Sequence, residues 1–252
     1  KAFVRRPSAR LAEGLVTHIE RQPVDFELAQ QQWQAYVDAL HAAGWQTIEV
    51  DPAPDCPDSA FVEDTMVVYG PVAVIARPGA DERKPETAAA EEAARRVGYQ
   101  IRHIEAPGTL DGGDVLKHGD RVWVGQGGRT NAEGIRQLRE HLAPLGASVI
   151  TVPLSKVLHL KSAVTALPDG TIIGYEPLVD DVESWGEGFL GMPEEAGAHV
   201  VILAPDTVLM ASSAPESVAK MQARGVNVVQ VDISEYEKLE GCVTCLSVRL
   251  RG

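Results

Sequence analysis

One cadence limits what this chain can fold into more than any single motif. It consists of an apolar strand, a short turn, a second strand, a helix stopped by glycine, and a third strand. One copy runs Thr65-Met-Val-Val-Tyr69, Gly70-Pro71, Val72-Ala-Val-Ile-Ala76, a helix expected from about Pro85 to Val97, and a strand at Tyr99–Ile104. Gly98 stands where a left-handed helix stop is expected. A second copy runs Asp114-Val-Leu116, Arg121-Val-Trp-Val124, a helix near Ala132–Leu145, Gly146, and the strand Ser148–Val152. The helix–glycine–strand junction recurs at Gly44 before Trp45–Val50 and at Gly225 before Val226–Val231. Ser162–Leu167 and Thr171–Gly174 read as a hairpin around Pro168-Asp169-Gly170, followed by a Trp- and Gly-containing connection instead of a clean amphipathic helix. Thr244–Leu250 reads as a strand that needs a partner, and Ala2–Arg5 supplies one by closing a ring. Counted this way there are about five units of roughly 40–50 residues, a period typical of repeated architectures. Helices in the units argue against an all-β propeller. The cadence alone leaves two α/β arrangements open, a five-unit ring and a sandwich without symmetry.

The 252 residues suit one domain or two small ones, and no linker-like stretch divides them, so a single domain over 1–252 is expected. Apolar runs such as Val72–Ala76 stay far short of the roughly 20 residues of a spanning helix, so no membrane segment is expected. Acidic residues outnumber basic ones 36 to 23. Phosphate backbones and anionic membranes bind through Lys and Arg, so both are poor partners for such a chain, whereas a small cation is welcome. The first residues carry Arg5, Arg6 and Arg10 but no apolar core of a signal, and the cysteines are Cys56, Cys242 and Cys245 alone. A cytoplasmic, reducing location without disulfides is the expectation.

Several segments carry chemistry-bearing residues. Cys242-Val-Thr-Cys245 has the spacing of a redox dithiol or half a zinc site. Its sequel Leu246-Ser-Val-Arg-Leu250 alternates like a strand, however, and three cysteines cannot build a four-cysteine site. Cys242 therefore reads as a small buried residue. Cys245 heads a strand after a glycine-containing loop, a place from which a side chain faces a cleft. A thiol nucleophile needs a proton-handling partner, and His159 lies in the alternating stretch Val157-Leu-His-Leu-Lys161. The remaining histidines sit among polar neighbours and read as solvated. In Leu110-Asp-Gly-Gly-Asp-Val-Leu116 two carboxylates bracket Gly-Gly, either as a capped turn or as a place where backbone and ligand come close. Asp58-Ser-Ala-Phe-Val-Glu-Asp64 leads more acids into an apolar strand, where desolvation is costly unless they meet a cation. That cation is a metal, an Arg side chain or a guanidinium substrate. No EF-hand spacing, phosphate loop or serine elbow is present.

Taken together these stretches resemble the dimethylarginine dimethylaminohydrolases of the guanidino-modifying (pentein) superfamily. Asp58–Asp64 with Arg77-Pro78-Gly79, Leu110–Leu116, Gly128-Arg-Thr-Asn131, Leu158-His-Leu-Lys-Ser162 and Gly241–Ser247 fall in the family's order and span nearly the whole chain. The resemblance implies an α/β fold, a five-bladed pentein propeller of ββαβ units with pseudo-fivefold symmetry and a central active site. It implies hydrolysis of asymmetric dimethyl- and monomethyl-L-arginine to L-citrulline and methylamines through a covalent cysteine thiouronium, with no cofactor and no metal. Cys245 would be the nucleophile, His159 the general acid/base and Asp111 the carboxylate of the triad. Asp64 would join Asp111 in holding the guanidinium. Asp58 and Glu63, the latter by its side chain or through its backbone, would meet the amino-acid end or line the pocket, and Arg83 and Arg129 would clamp the α-carboxylate. Leu15 would act as a lid, and Leu239 and Glu240 would contact the substrate. The protein would be a monomer or homodimer. An arginine deiminase and a non-catalytic pentein-fold binding protein are the alternatives.

Overall fold

Each apolar hairpin of the cadence needs a third strand and a covering helix to bury its faces. The computed structural model, which describes residues 1–250, forms five such three-stranded sheets. The first joins the two ends of the chain. In it β1 (Ala2–Val4) pairs antiparallel with β15 (Val248–Arg249) and parallel with β2 (Thr47–Glu49), with α1 (Phe26–Ala42) as the crossover. In the second, β3 (Met66–Tyr69) and β4 (Val72–Ile75) form the hairpin, and β5 (Gln100–His103) returns parallel to β4 after α2 (Thr87–Val97). The third repeats this with β6 (Val115–His118), β7 (Arg121–Gln126), α3 (Ala132–Leu142) and β8 (Ser148–Pro153). In the fourth, α4 (Leu160–Ala163) precedes β9 (Val164–Ala166), β10 (Ile172–Gly174) and β11 (Phe189–Gly191). Its crossover holds 3₁₀ turns at Glu176–Leu178 and Glu183–Gly188 where the other sheets have an α-helix. The fifth comprises β12 (Val201–Ala204), β13 (Thr207–Ala211), α5 (Pro215–Ala223) and β14 (Asn227–Val231), after which α6 (Ser234–Glu237) leads towards β15. The unit thus recurs five times, as ββαβ in four of them and with 3₁₀ turns in place of the helix in the fourth, and the wrapped first unit closes the ring. No helix of the described residues is long and apolar enough to cross a membrane.

Local chemistry explains the helix ends. Asp25 caps α1 by accepting from the Leu28 N–H at 3.1 Å, and Asn131 caps α3 through the Gly134 N–H at 2.8 Å. Gly98 ends α2 at φ +100°, a left-handed conformation that a side chain resists. The helix expected from Pro85 begins at Thr87, because Asp81–Glu86 winds as a 3₁₀ turn. The one expected over Ala132–Leu145 finishes as a 3₁₀ turn from Ala143.

Packing holds the blades to one another. Each apolar cluster bridges two neighbouring units. One joins Val72 and Val74 of β4 to Val122, Val124, Ile135 and Leu138 of the third unit. Another joins Trp33, Tyr36 and Leu40 of α1 to Leu209 and Val231 of the fifth, completing the circuit. The first strands of the units, β3, β6, β9, β12 and β15, all contribute residues to the lining of one central cavity. Immediately before each of these inner strands the chain makes a short turn, at Val62–Thr65, Gly112–Asp114, Leu160–Ala163, Ala196–Ala198 and Cys242–Cys245. Strands expected to begin at Thr65, Asp114, Ser162 and Thr244 therefore begin one to four residues later. The turns are buried and keep apolar residues such as Val62, Val243 and Leu246, so their pattern imitates a strand.

Leu138 is fully buried between two blades. Leu138→Ala should lower unfolding free energy by about 2–5 kcal/mol, read as a reduced urea midpoint at unchanged slope.

Candidate active site

The turns before the inner strands carry the reactive side chains to a second cavity, lined by Asp64, His159 and Cys245 among others. Asp64, near the end of the turn before β3, is buried. Its Oδ2 accepts from Arg83 Nη1 at 2.5 Å and its Oδ1 from the Gly113 N–H at 2.7 Å. Burial opposes its charge, but the neighbouring His159 and Arg83 cations outweigh it and hold the carboxyl well below the usual range. Asp111, fully buried before the Gly112–Asp114 turn, accepts from the Gly79 N–H at 2.9 Å and lies 3.0 Å from His159 Nε2. His159 precedes α4 in extended backbone, and its Nδ1 lies 3.8 Å from Asp64. Burial lowers its proton affinity, but Asp64, Asp114 and Asp111 reverse that and raise it to about 9. The ring is therefore an imidazolium at neutral pH, a ready proton donor.

Cys245 sits in the last of the turns, 7% exposed, and lines the same cavity as His159. Its sulfur lies 3.4 Å from the Cys242 N–H and 3.3 Å from the Cys242 sulfur. The hydrogen bond to Cys242 first, then burial and the Glu63 and Asp64 carboxylates, hold its thiol well above the ordinary range. A cation entering the cavity works in the opposite direction, towards thiolate.

Other predicted residues surround this core. Leu15, Asp58, Arg83, Arg129, Leu239 and Glu240 all line the cavity. Asp58 accepts from the Leu15 N–H at 3.1 Å on both oxygens, and Glu240 accepts from the N–H groups of Thr17 and His18 at 2.6 and 2.8 Å. The segment carrying Leu15 is thereby fastened at two points. Burial raises the Asp58 carboxyl above its ordinary value. Arg129 Nη1 lies 3.5 Å from Asp111. Arg83 is more deeply engaged: Nε and Nη2 donate to Glu86 at 3.0 and 2.8 Å, and Nη2 also reaches the Asp58 and Phe61 carbonyls at 3.2 Å. Its guanidinium thus braces Asp64 and the Asp58–Phe61 turn.

Glu63 is not brought into this cavity. Its carboxylate turns the other way, to Lys161 at 2.5 Å and to Arg249, and lines the central cavity behind the site. Its backbone N–H remains close by, donating to the Cys245 carbonyl at 3.1 Å. Consecutive residues of a 3₁₀ turn point about 120° apart, which separates Glu63 from Asp64. His199, expected to be solvated, is buried with Nε2 2.9 Å from the Ser162 carbonyl. Two supporting residues escaped sequence reasoning as site members. Asp114 accepts from the Thr130 hydroxyl at 2.6 Å and the Leu160 N–H at 3.0 Å, while Thr130 accepts from the Asp111 N–H at 3.1 Å. They lock the Asp111 and His159 segments together. Burial pushes the Asp114 carboxyl up to about 7. The second acid of Leu110–Leu116 and the Thr of Gly128–Asn131 were the available signals.

Donor atoms of Asp64, Asp111 and His159 lie within 4.8 Å of one another, close enough to ligate an ion. Arg83, the Gly79 and Gly113 N–H groups and the His159–Asp111 contact already occupy those carboxylates.

A five-unit α/β propeller with a cysteine, a histidine and buried carboxylates gathered beside its centre defines a pentein hydrolase acting on C–N bonds. No protein-family model matches the chain. It is 63% identical over 251 residues to an N(G),N(G)-dimethylarginine dimethylaminohydrolase of Streptomyces coelicolor, covering 100% of this chain and 97% of that one. Identity to the enzyme of the same name from Pseudomonas aeruginosa is 36% over 249 residues, 98% of both chains. The chain therefore belongs to the dimethylarginine dimethylaminohydrolase family. Among solved structures, a cysteine-to-serine variant of the Pseudomonas aeruginosa enzyme complexed with citrulline matches with a TM-score of 0.91 at 34% identity, covering 99% of this chain and 98% of that one. The N-terminal domain of a cyanobacterial arginine dihydrolase shares the fold, with a TM-score of 0.88 at 19% identity over 98% of this chain and 97% of that one.

Gly113 makes the arrangement possible. A Cβ there would lie 2.6 Å from Asp64 Oδ1 and 2.7 Å from His159 Nδ1. Gly113→Ala should therefore lower kcat by about 10²-fold through displacement of these groups, with the circular dichroism spectrum unchanged.

Proposed function

We propose that the chain hydrolyses asymmetric dimethyl- and monomethyl-L-arginine to L-citrulline and methylamines, acting as one catalytic domain over 1–252, of which the last two residues lie outside the described ones. The observation that carries the reading is the shared cavity. A buried thiol faces a buried imidazolium, with the Asp64 carboxylate alongside and the Asp111 carboxylate directly behind the imidazolium. A guanidinium is a poor electrophile because its charge is spread over three nitrogens. Carboxylates that fix its orientation place its carbon beside the nucleophile, which removes much of the entropic barrier. The substrate's own charge shifts Cys245 towards thiolate.

The thiolate then attacks the guanidinium carbon. The bond to the methylated nitrogen breaks as His159 gives that nitrogen its proton, releasing the amine and leaving an S-linked thiouronium on Cys245. Neutral His159 takes a proton from water, the hydroxide adds to the same carbon, and the C–S bond breaks to give the ureido group of citrulline. Arg129, in the cavity lining with Nη1 3.5 Å from Asp111, offers a planar fork to the substrate's α-carboxylate. Arg83 has one Nη1 hydrogen left for that role after bracing Asp64. Leu15 covers the aliphatic stem.

The first test is citrulline formation from dimethylarginine and from arginine, side by side. Citrulline from the methylated substrate, lost in Cys245→Ser and retained for the most part in Cys242→Ser, is the expected result. Turnover of arginine alone would move the chain to the deiminases, and equal loss in both variants would remove Cys245 as nucleophile. A second test uses pH. The imidazolium is full well below pH 9 and is lost as pH rises through about 9, so kcat/KM should fall along an alkaline limb there. Asp114 is one of the carboxylates that raise His159, so Asp114→Asn should move that limb to lower pH. An unmoved limb would show that the limb does not report His159.

A further inference from the structure

Hydrolysis uses one sulfur of the Cys242-Val-Thr-Cys245 pair and leaves the other without a role. The two cysteines end a tight turn in which the Cys245 N–H donates to the Cys242 carbonyl at 3.0 Å. A four-residue turn closed in this way holds its end Cα atoms within about 7 Å, the span that a disulfide bridges. The side chains converge, with the sulfurs 3.3 Å apart and both cysteines buried. The Cys242 N–H points at Cys245 Sγ from 3.4 Å, and the Thr244 hydroxyl lies 3.2 Å from Cys242 Sγ, so either sulfur has a hydrogen-bonding partner besides the other. An S–S bond of about 2.0 Å needs the sulfurs to approach by only about 1 Å more. Cys245 lines the substrate cavity and is reached through it. Cys56, also buried, is hydrogen-bonded to neither of the other two sulfurs among the described residues.

We propose that Cys242 and Cys245 are a modification site, closing into an intrachain disulfide when a small hydroperoxide enters the cavity, and that this reversibly silences the enzyme. The Cys245 sulfur attacks one peroxide oxygen as its own proton passes to the other, the O–O bond breaks, and Cys245 becomes a sulfenic acid while the other oxygen leaves as water. The Cys242 sulfur, deprotonated, then attacks the Cys245 sulfur. The S–S bond forms as the S–O bond breaks, and the departing hydroxide takes up the remaining thiol proton to leave as a second water. Two thiols lose two electrons and two protons, and the peroxide is reduced to two waters. A dithiol reductant reverses the step through a mixed disulfide. Without Cys242 the sulfenic acid has no resolving thiol and proceeds to sulfinic acid, which a dithiol does not reduce. The silencing rests on Cys245 being the nucleophile, whereas the disulfide itself does not.

The test exposes the purified protein to hydrogen peroxide, alkylates the remaining thiols after denaturation, and reads intact mass, peptide linkage and citrulline formation before and after dithiothreitol. Wild type is expected to lose the mass of two hydrogens, to keep only Cys56 alkylatable, to yield a linked Cys242–Cys245 peptide, and to regain its activity with dithiothreitol. Cys242→Ser, with comparable starting activity, is expected to gain oxygen atoms at Cys245 and to recover about tenfold less activity, since sulfinic acid is the end product. Wild type that accumulates oxygen on Cys245 with Cys242 still alkylatable would overturn the proposal, as would equal recovery in the two proteins. A disulfide formed with activity intact would overturn the silencing and, with it, the assignment of Cys245 as nucleophile.

Discussion

The contact on which the site depends is the buried salt bridge between Asp64 and Arg83. An unpaired carboxylate at that depth would take up a proton rather than remain charged. Arg83 prevents this and is itself held by Glu86 three residues on, so the 3₁₀ turn at Asp81–Glu86 delivers cation and counter-anion together. With Asp64 kept ionised, His159 sits between it and Asp111 and keeps its proton. The chain of cause runs from a turn in the second blade to the protonation state of a ring in the fourth. Arg83 thus acts through Asp64 as well as facing the cavity, and the two roles draw on different nitrogens of one planar group.

Electrostatics also set the protonation states within the cavity. Asp58, Asp64 and Asp111 bring more negative charge than Arg129 and His159 cancel once Arg83 is engaged with Asp64 and Glu86. In that field the Cys245 thiol holds its proton and the imidazolium is stable. A guanidinium neutralises the surplus and favours the thiolate in the same step. In the proposed reaction, selectivity for cationic substrates and activation of Cys245 have one physical origin, burial of carboxylates beside a thiol.

The cadence of strands, helices and stop glycines was legible because it reflects one physical need repeated around the ring. Each hairpin buries one face on a helix and the other on its neighbour, so the apolar spacing recurs, and the termini of the chain pair as the ring reading requires. The turns before the inner strands were not legible. Thr244–Ser247 are all buried, so burial continues without a break from the turn into β15, and only backbone hydrogen bonding separates the two. Glu63 and Asp64 posed the same difficulty. Adjacent acids look equivalent in a sequence, yet the turn sends one to Lys161 and Arg249 and the other to Arg83 and Gly113. Asp114 and Thr130 escaped for another reason, since they reach the site only through the Thr130 hydroxyl and the backbone N–H groups of Asp111 and Leu160.

The covering segment follows from the same surplus of carboxylates. Backbone N–H groups of Leu15, Thr17 and His18 find their acceptors in Asp58 and Glu240, which also line the cavity. Glu240 adopts φ +60°, a left-handed conformation uncommon for a residue with a side chain. Such strain costs of order 1–3 kcal/mol and persists only where the surroundings over-determine it. Here two N–H donors on the carboxylate and the Glu237 carbonyl accepting from its own N–H at 3.1 Å supply that determination. The strained residue lies five positions before Cys245, so the turn that carries Cys245 and the loop that fastens the Leu15 segment are one continuous piece of backbone. The position of the segment above the cavity is therefore coupled through the chain to the turn that carries the thiol.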